Sequence, residues 1–562
     1  MSKHALINAT PFETRLVIID DGRLDEVFIE RVQARSLVGD VYLGTVVRVL
    51  PAMGSVFIDV GRERSAFLHQ SDIMLPTRLS SQDDVVTPTP ITTLPMAHQT
   101  GNESSAQSQP KSKSQSKPKP TKPKLDPRLL PKLLPKVGER VVVQVTKDEF
   151  GTKGVRVTMH IALAGRYLVY LPTSPQSVGV STRIGTKAYR TKLKAHLTSL
   201  LSQSSHTGGL IARSACEQAL GDDGGLADMG ERMQAELNHL GVLWADISQA
   251  RTQASLHKAR YALLYQELPL AERALRDIIT DDIQSVWIDD RAAYERVRHA
   301  GHTLMPSITS VIYHHDKPTP LFAQSVPDEH RSSTPDIETQ LTHALSRHCP
   351  LPSGGYLIIE HTEAMTTIDV NTGSYVGQSR AGSQSRAGVD VAYETNKEAV
   401  TAIARELKVR NIGGIIILDF IDMDKSAHQQ TVLDMLAHAL KADPATTNIT
   451  QISELGLVEM TRKRTRPSLS DELCEPCPVC HGTGKIKSVQ TVAFEILRLL
   501  MSRLANSTSF KKSNVTIKVS QSVADYLSSH QDLSNLQKLT NTSIHLSINT
   551  SYHQEQYAIL VE

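Results

Sequence analysis

Long apolar runs are missing from this chain. No stretch of about 18 uninterrupted apolar residues occurs in its 562 residues, which argues against a membrane-spanning helix. The opening residues, MSKHALINATPFETR, are polar and lead straight into a strand-like pattern, without the apolar core of a signal peptide. Aromatic residues are scarce at 4%, so one that stands in a binding-type setting carries more weight than usual. Neither sign of charge is in excess: 61 Lys and Arg against 59 Asp and Glu leave +2. The chain as a whole therefore lacks the basic balance of a nucleic-acid binder, and any such charge has to be local. Cysteine is sparse too. There are five, and Cys474, Cys477 and Cys480 crowd into seven residues, which excludes a disulfide framework and reads as a metal pattern. Together these absences point to the cytoplasm and to no membrane partner.

What is present is enough chain for several domains, at roughly 100–200 residues each. Residues 12–30, FETRLVIIDDGRLDEVFIE, hold two alternating runs around Asp21-Gly22, a strong hairpin signal. Residues 39–73 alternate short β-branched runs with Gly and turn residues, as a small antiparallel barrel does, and a closing strand, ERVVVQVTKD, arrives only at 139–148. Between them, Leu75 to Lys136 is rich in Ser, Thr, Gln, Pro and Lys, and PKSKSQSKPKPTKPK (110–124) has six lysines and no acid. It can bury almost nothing apolar, so it reads as a disordered insertion: either a passive spacer or a basic arm that raises nucleic-acid affinity by counterion release. Residues 155–215 mix strand-like runs with a Lys-rich helical piece, and 224–300 look mainly helical from their heptad-like apolar spacing. Residues 354–422 return to short apolar strands, GGYLIIEHT, MTTIDVN and GGIIILDFID. Helices are expected over EAVTAIARELKVRN and AHQQTVLDMLAHALKA, before and after the last of these strands. The fold class is multidomain α/β and α+β.

Asp369 ends one of these apolar runs and Asp419 ends another. A carboxylate at the C-terminal end of a buried strand stands where α/β folds place ligands. Two such strands side by side bring two carboxylates within reach of one cation, and Mg²⁺ takes one or two carboxylates plus waters and phosphate oxygens. Asn371, two residues beyond Asp369, points to the same side of a strand and can donate to a phosphate without adding charge. Asp422 can act through an outer-shell water. Acids at strand ends are equally often helix caps or loop residues, so the spacing alone leaves both meanings open.

Cys477 and Cys480 form a C-x-x-C zinc half-site with glycine close behind. Zinc takes four ligands. The other two come either from a second C-x-x-C elsewhere or from Cys474 and His481 in the same chain, where two successive two-residue spacings would crowd a tetrahedron. Cys216 and Cys349 have no sequence partners and read as inert thiols.

Three long stretches in order, EAMTTIDVNTG, RNIGGIIILDFIDM and GLVEMTRKRTRPSL, resemble the ribonuclease E/G family, and the resemblance runs over nearly the whole chain from LINAT onward. It implies an RNase H-like part (1–35 and 271–343) split by an S1 (OB-type) RNA-binding barrel (36–160) carrying the insertion, and by a 5′-sensor region (161–270). A DNase I-like catalytic domain (344–473), a zinc link (474–488) and a small domain (489–562) follow. By resemblance Asp369 and Asp419 hold a catalytic Mg²⁺ and Asn371 positions the scissile phosphate, while Cys477 and Cys480 share one Zn²⁺ with a second subunit. That makes a homodimer, with pairing of dimers left open.

The resemblance also assigns RNA contacts. Phe57, Phe67 and Lys153 fall on RNA-contact positions, although on the residues alone each Phe reads equally well as core packing. Gly165, Val169, Arg213 and Ser214 fall on a pocket for a 5′-monophosphate, where an Arg fork suits phosphate. There are departures from the family. Thr182 stands where some members carry Arg, next to a retained Arg183, and DPATTN (443–448) lacks a basic residue that some members place there. SRAGSQSRAG (379–388) adds Arg380 and Arg386 between the two acid-bearing strands. The implied activity is internal, Mg²⁺-dependent hydrolysis of single-stranded A/U-rich RNA to 5′-phosphate and 3′-hydroxyl ends, stimulated by a 5′-monophosphate, in rRNA 5′ maturation and mRNA turnover. The rival is a non-catalytic S1-domain RNA-binding protein, which has no need of paired acids facing phosphate.

Overall fold

The computed structural model describes residues 2–73, 134–149, 153–175, 177–218, 225–323, 335–373, 390–453, 455–464, 466–506, 514–530, 532–540 and 543–561. Nearly all of the Lys-rich insertion, and all of SRAGSQSRAG, lie outside them. The chain forms two compact units, Met1–Leu469 and Ser470–Glu562.

The first unit opens with the expected hairpin. β1 (Lys3–Ala9), β2 (Glu13–Asp20) and β3 (Arg23–Arg31) are successively antiparallel. Asp21 and Gly22 both take positive φ, 47° and 75°, the backbone a tight two-residue turn needs. The chain then leaves this sheet. β4 (Val41–Leu50), β5 (Ser55–Asp59), β6 (Ala66–His69), β7 (Arg140–Lys147) and β8 (Arg156–Thr158) pair in the order β4-β5-β6-β8-β7, and a β4–β7 pairing closes them into a five-stranded barrel. Val46, Val56, Ile58, Leu68, Val143 and Val157 fill it, at the period of two that the sequence shows. Closure is tight at Gly44, where a Cβ would stand 2.5 Å from the Ile58 side chain and 2.9 Å from the Asp59 carbonyl oxygen.

A four-stranded sheet follows, ordered β11-β12-β10-β9, from β9 (Leu163–Ala164), β10 (Leu168–Leu171), β11 (Val178–Val180) and, after helix α1 (Lys187–Gln203), β12 (Gly209–Ala212). Leu193, Leu197 and Leu200 recur at three- and four-residue steps along α1 and join Leu168 and Leu210 in one core with Met233 and Leu237 of α2 (Gly225–Leu256). The mainly helical pattern expected for 224–300 is found, interrupted by two short strands after α2. Beyond it the chain alternates: β13 (Ala262–Tyr265) adds to the barrel at β4, then come α3 (Leu270–Asp277), β14 (Ile283–Ile288) and α4 (Arg291–Leu304). The short runs ALLY and IQSVWI are too brief and too β-branched or aromatic to sustain a helix, and each finds a waiting sheet edge. β14 runs parallel to β1, and β15 (Ile312–His314) parallel to β14, so the first sheet, β15-β14-β1-β2-β3, is completed only after the long excursion. Ala5, Ile7, Val286 and Ile288 bury one face of it against α3 and α4.

After α5 (Ile337–Leu345) comes a six-stranded sheet built from β16 (His348–Pro350), β17 (Tyr356–His361), β18 (Met365–Asn371), β19 (Gly414–Asp419), β20 (Thr447–Ile452) and β21 (Leu457–Arg462), in the order β16-β17-β18-β19-β21-β20. Every pairing is antiparallel except β18–β19, which needs a crossover and has one in α6 (Val391–Val409). Helix α7 (Ser426–Ala439) follows β19. Ile368, Val370, Ile416 and Leu418 face α6 and α7, where Val400, Ile403, Val432 and Leu436 meet them. The opposite face is open: Ile415 is 49% exposed.

The second unit has α8 (Val489–Asn506), β22 (Val515–Val519), α9 (Gln521–Ser529), α10 (Asp532–Thr540), β23 (Ile544–Ile548) and β24 (Tyr557–Val561). β22 is central, parallel to β23 and antiparallel to β24. Ile496, Leu500, Ile517 and Leu527 are the centre of its core.

Candidate active site and RNA-contact surfaces

Asp369 and Asp419 are direct register partners in the parallel β18–β19 pair, on strands about 4.8 Å apart. Buried neighbours flank each of them, Ile368 and Val370 around Asp369, Leu418 and Phe420 around Asp419, so both carboxylates leave on the open face. Both stand near the C-terminal ends of their strands, as expected, and the pleat turns them to the side of the sheet opposite α6 and α7. Burial first, and then repulsion from Asp369 and Asp422, pushes the Asp419 carboxyl above the usual range. That is the electrostatic condition a divalent cation relieves. The Asn371 amide donates to Asp369 Oδ2 at 2.9 Å, so it first orients that carboxylate, leaving one amide hydrogen for a substrate oxygen.

One contributor was invisible to spacing arguments. Asn396, fully buried on α6, donates through Nδ2 to the Ile421 carbonyl (2.8 Å) and accepts the Ile421 N–H through Oδ1 (3.1 Å). This two-point clamp fixes the turn after β19 that carries Asp422. Its only sequence signal is an amide on the apolar face of a helix. Among the described residues no group of three or more His, Cys, Asp or Glu has metal-binding geometry, so the candidate cation site rests on two carboxylates.

The barrel brings Phe57 and Phe67 together as register partners on β5 and β6, with ring centroids 5.9 Å apart in an edge arrangement. Both are half-buried and point outward, since Val56, Ile58, Ala66 and Leu68 take the inside. The row extends further than the sequence suggested: Arg48 is the partner of Phe57 across β4, and Arg156 is the partner of Phe67 across β8. Aromatic faces flanked by cations suit single-stranded nucleic acid. Arg156 carries no local sequence signal, because β6 and β8 are not consecutive strands, and Arg48 is brought opposite Phe57 across the β4–β5 pair by a register shift between Val46 and Arg48. Arg156 also bonds Asp72 at 2.8 Å. Lys153 is exposed, three residues before Arg156.

Gly165, Val169, Arg213 and Ser214 also converge. Gly165 lies in the turn between β9 and β10, Val169 on β10 beside Ile211, and Arg213 just past β12, donating its backbone N–H to Tyr167 O at 2.8 Å and Nη1 to the Gly165 carbonyl. Nη2 of Arg213 binds Asp277 Oδ1 at 2.7 Å, so the fork is oriented from behind. Ser214 is exposed. Glu236, 70 positions from the turn, accepts the N–H groups of Arg166, Tyr167 (2.9 Å) and Leu168 (2.8 Å). It also explains the glycine: a Cβ on Gly165 would lie 2.3 Å from the Glu236 carboxyl carbon. Arg183 reaches the DPATTN segment of the six-stranded sheet, bonding Pro444 O at 2.7 Å and Thr446 Oγ1 at 3.3 Å; Thr182 is exposed beside it.

Cys477 and Cys480 sit on an exposed turn. The Cys480 N–H, and then the Val479 N–H, bond the Cys477 sulfur and lower its thiol below the ordinary range, which favours the thiolate a metal needs. His481 (φ 49°) and Gly482 (φ 88°) make the reversal. Cys216 and Cys349 are different: burial raises each to about 12, so both are inert.

Two family models match the chain. The ribonuclease E/G family model covers residues 162–465, and the model of the RNase E/G thioredoxin-like domain covers 476–562. Ribonuclease G of Escherichia coli (strain K12) is 35% identical over 564 residues, covering 100% of both chains. The chain belongs to the ribonuclease E/G family, and with it to the endoribonucleases. Ribonuclease G of Haemophilus influenzae is 35% identical over 99% of both chains. Ribonuclease E of that organism is 31% identical over 99% of this chain but 52% of its own, so the chain spans about half the length of that relative.

Within this ribonuclease E/G chain, the third family-like stretch, GLVEMTRKRTRPSL, is framework. Arg462 pairs with Asp443 at 2.7 Å, with side chains only 3% and 1% exposed, and donates to Asn411 Oδ1 and Ile412 O. Arg464 holds Gly413 O at 3.0 Å, and Arg466 lies over the Phe28 ring at 4.1 Å. These arginines tie β21 to the start of β19 and to β3.

Proposed function

We propose that the chain hydrolyses single-stranded RNA internally with Mg²⁺, in the manner of a ribonuclease G, and that it senses a 5′-monophosphate. The observation that carries this is the register pairing of Asp369 with Asp419 on an open sheet face. Asp369 and Asp419 would hold the ion, and Asn371 would keep Asp369 in position and give its second amide hydrogen to a non-bridging phosphate oxygen. A bound Mg²⁺ supplies an activated water and offsets charge on the phosphorane. Phe57 and Phe67 stack bases, with Lys153, Arg48 and Arg156 along the backbone. The barrel corresponds to the S1 domain, the split sheet to the RNase H-like part and the six-stranded sheet to the DNase I-like domain. A/U-rich rRNA precursors and mRNA in the cytoplasm are the substrates this assigns.

Arg213 and Ser214 would bind the 5′-phosphate. Arg213→Ala should therefore remove the advantage of a 5′-monophosphate over a 5′-hydroxyl, roughly tenfold or more for the loss of a charge-assisted fork, while leaving the rate on 5′-hydroxyl RNA unchanged. Equal rates on both RNAs in the parent chain would discard the sensor and keep the nuclease.

Cys477 and Cys480 would supply half of a tetrahedral Zn²⁺ site, completed by the same pair of a second copy. Cys477→Ser with Cys480→Ser should convert a zinc-containing dimer into a monomer in light scattering with metal analysis. A dimer that persists without zinc would sink the shared-metal link.

A further inference from the structure

The near-neutral balance of the whole chain hides a sharp segregation. Residues 150–216 contain nine Lys and Arg and not one Asp or Glu, so the rest of the chain carries −7 of the +2 total. Some of these cations are spoken for: Arg166 is buried, Arg183 holds Pro444, Arg190 caps the carbonyls of Ile184 and Gly185, and Arg213 lines the pocket. Lys187, Lys192 and Lys194 are not. All three are exposed on α1, whose other side is sealed by Leu193, Leu197 and Leu200. Lys187 and Lys194 stand two turns apart on one flank, about 10 Å along the axis, and Lys192 stands on the other. No ion pair engages any of the three among the described residues, and the nearest acid in sequence, Glu217, is taken up by the Gly185 N–H at 3.0 Å. A solvent-facing helix normally offsets its lysines with acids one turn away. Among the described residues this one holds its charge uncompensated. Its leading end is tied to the catalytic sheet through Arg183 and the loop at Pro444 and Thr446.

We propose that the exposed side of α1, with Lys187, Lys192 and Lys194, is a phosphate-backbone track that engages single-stranded RNA beyond the barrel and the 5′-end pocket; this rests on the RNA-hydrolase function proposed above. Charge complementarity selects the occupant. Tyr189, one turn before Lys192, packs against the core with its hydroxyl buried, so among the described residues the track offers cations and no free aromatic face, and it grips backbone and reads no bases. Its contribution grows with the length of RNA bound and vanishes for an oligomer that fills only the catalytic face.

The test is a salt titration of RNA binding in EDTA, by fluorescence anisotropy, for the full chain and for the triple variant Lys187→Gln, Lys192→Gln, Lys194→Gln. Glutamine keeps helix propensity, and these side chains touch nothing in the core. Each phosphate contact to a single strand contributes about 0.7 to the slope of log K against log salt, so the variant should lose roughly 2 from that slope on a long 5′-hydroxyl oligomer and bind it on the order of tenfold more weakly at moderate salt. A hexamer should bind and be cut as by the parent. An unchanged slope on the long oligomer overturns the track alone. If the parent chain binds no RNA at all, the track and the proposed hydrolase function fall together. A loss that is equal on hexamer and long oligomer places the lysines in the catalytic groove and also overturns it.

Discussion

Asp419→Asn should lower the single-turnover rate of RNA cleavage by roughly 10³-fold or more, about 4 kcal/mol of transition-state stabilisation, while RNA binding in EDTA stays within a factor of about two. Asparagine keeps the size of the side chain and removes the charge that faces Asp369 across the β18–β19 pair. Because Asp419 is exposed and its strand is held on both sides by β18 and β21, the variant should melt no lower than the parent. Relief of the repulsion that now raises Asp419 favours the folded state slightly. The raised carboxyl has a further consequence. Asp419 takes up a proton at a higher pH than an ordinary aspartate, so at low Mg²⁺ the acid limb of the rate profile should lie above the ordinary aspartate range. Increasing Mg²⁺, which competes with that proton, should move the limb to lower pH. A variant that still cuts within tenfold of the parent would remove the carboxylate pair from the reaction and leave an RNA-binding protein with an incidental pair of acids.

Arg462→Met should cost about 3–5 kcal/mol of stability, the usual penalty for removing one partner of a buried ion pair. Asp443, 1% exposed, would be left charged in a dry site, and Asn411 Oδ1 and the Ile412 carbonyl would lose a donor. The loss acts on the site as well as on the fold, because β21 is the antiparallel neighbour of β19 along its whole length and so supports the strand that presents Asp419. At about 2–4 °C per kcal/mol for a unit of this kind, the melting temperature should fall by roughly 10 °C, and cleavage at the working temperature should fall with it. The double variant Arg462→Met, Asp443→Leu should recover much of the loss, since two apolar groups can replace a buried pair with little penalty. A single variant that melts with the parent would mean that the pair is open to water in solution.

Much of the architecture was legible in the sequence for physical reasons that are local. Asp21-Gly22 fixes a hairpin because only a few residues accept positive φ, and the barrel strands announce themselves by their period of two. Asp369 and Asp419 were found because each ends an apolar run. The mainly helical reading of 224–300 fits three helices and misses two short strands where periodicity is least informative: ALLY and IQSVWI are four and six residues long, and their state is decided by the strands waiting for them, β4 and β1. Residues that act across long separations left no trace either. Glu236 caps a turn 70 positions away, Asn396 clamps Ile421, and Arg156 reaches the aromatic pair through register in a closed sheet. The basic run GLVEMTRKRTRPSL shows the converse. Its sequence says only that it is family-like, and the fold shows its three arginines engaging Asp443, Gly413 and the face of Phe28.

The central claim is that water, activated at the Asp369–Asp419 pair, attacks phosphorus. The most direct measurement is end-group analysis of a single-stranded RNA cut by the full chain in ¹⁸O-labelled water, with Mg²⁺ and with EDTA. The account predicts internal cuts only with Mg²⁺, leaving 3′-hydroxyl ends and 5′-phosphates that carry one labelled oxygen. Cutting that persists in EDTA, or that leaves 2′,3′-cyclic phosphates and unlabelled 5′-hydroxyl ends, would contradict it, because the attacking group would then be the RNA's own 2′-hydroxyl.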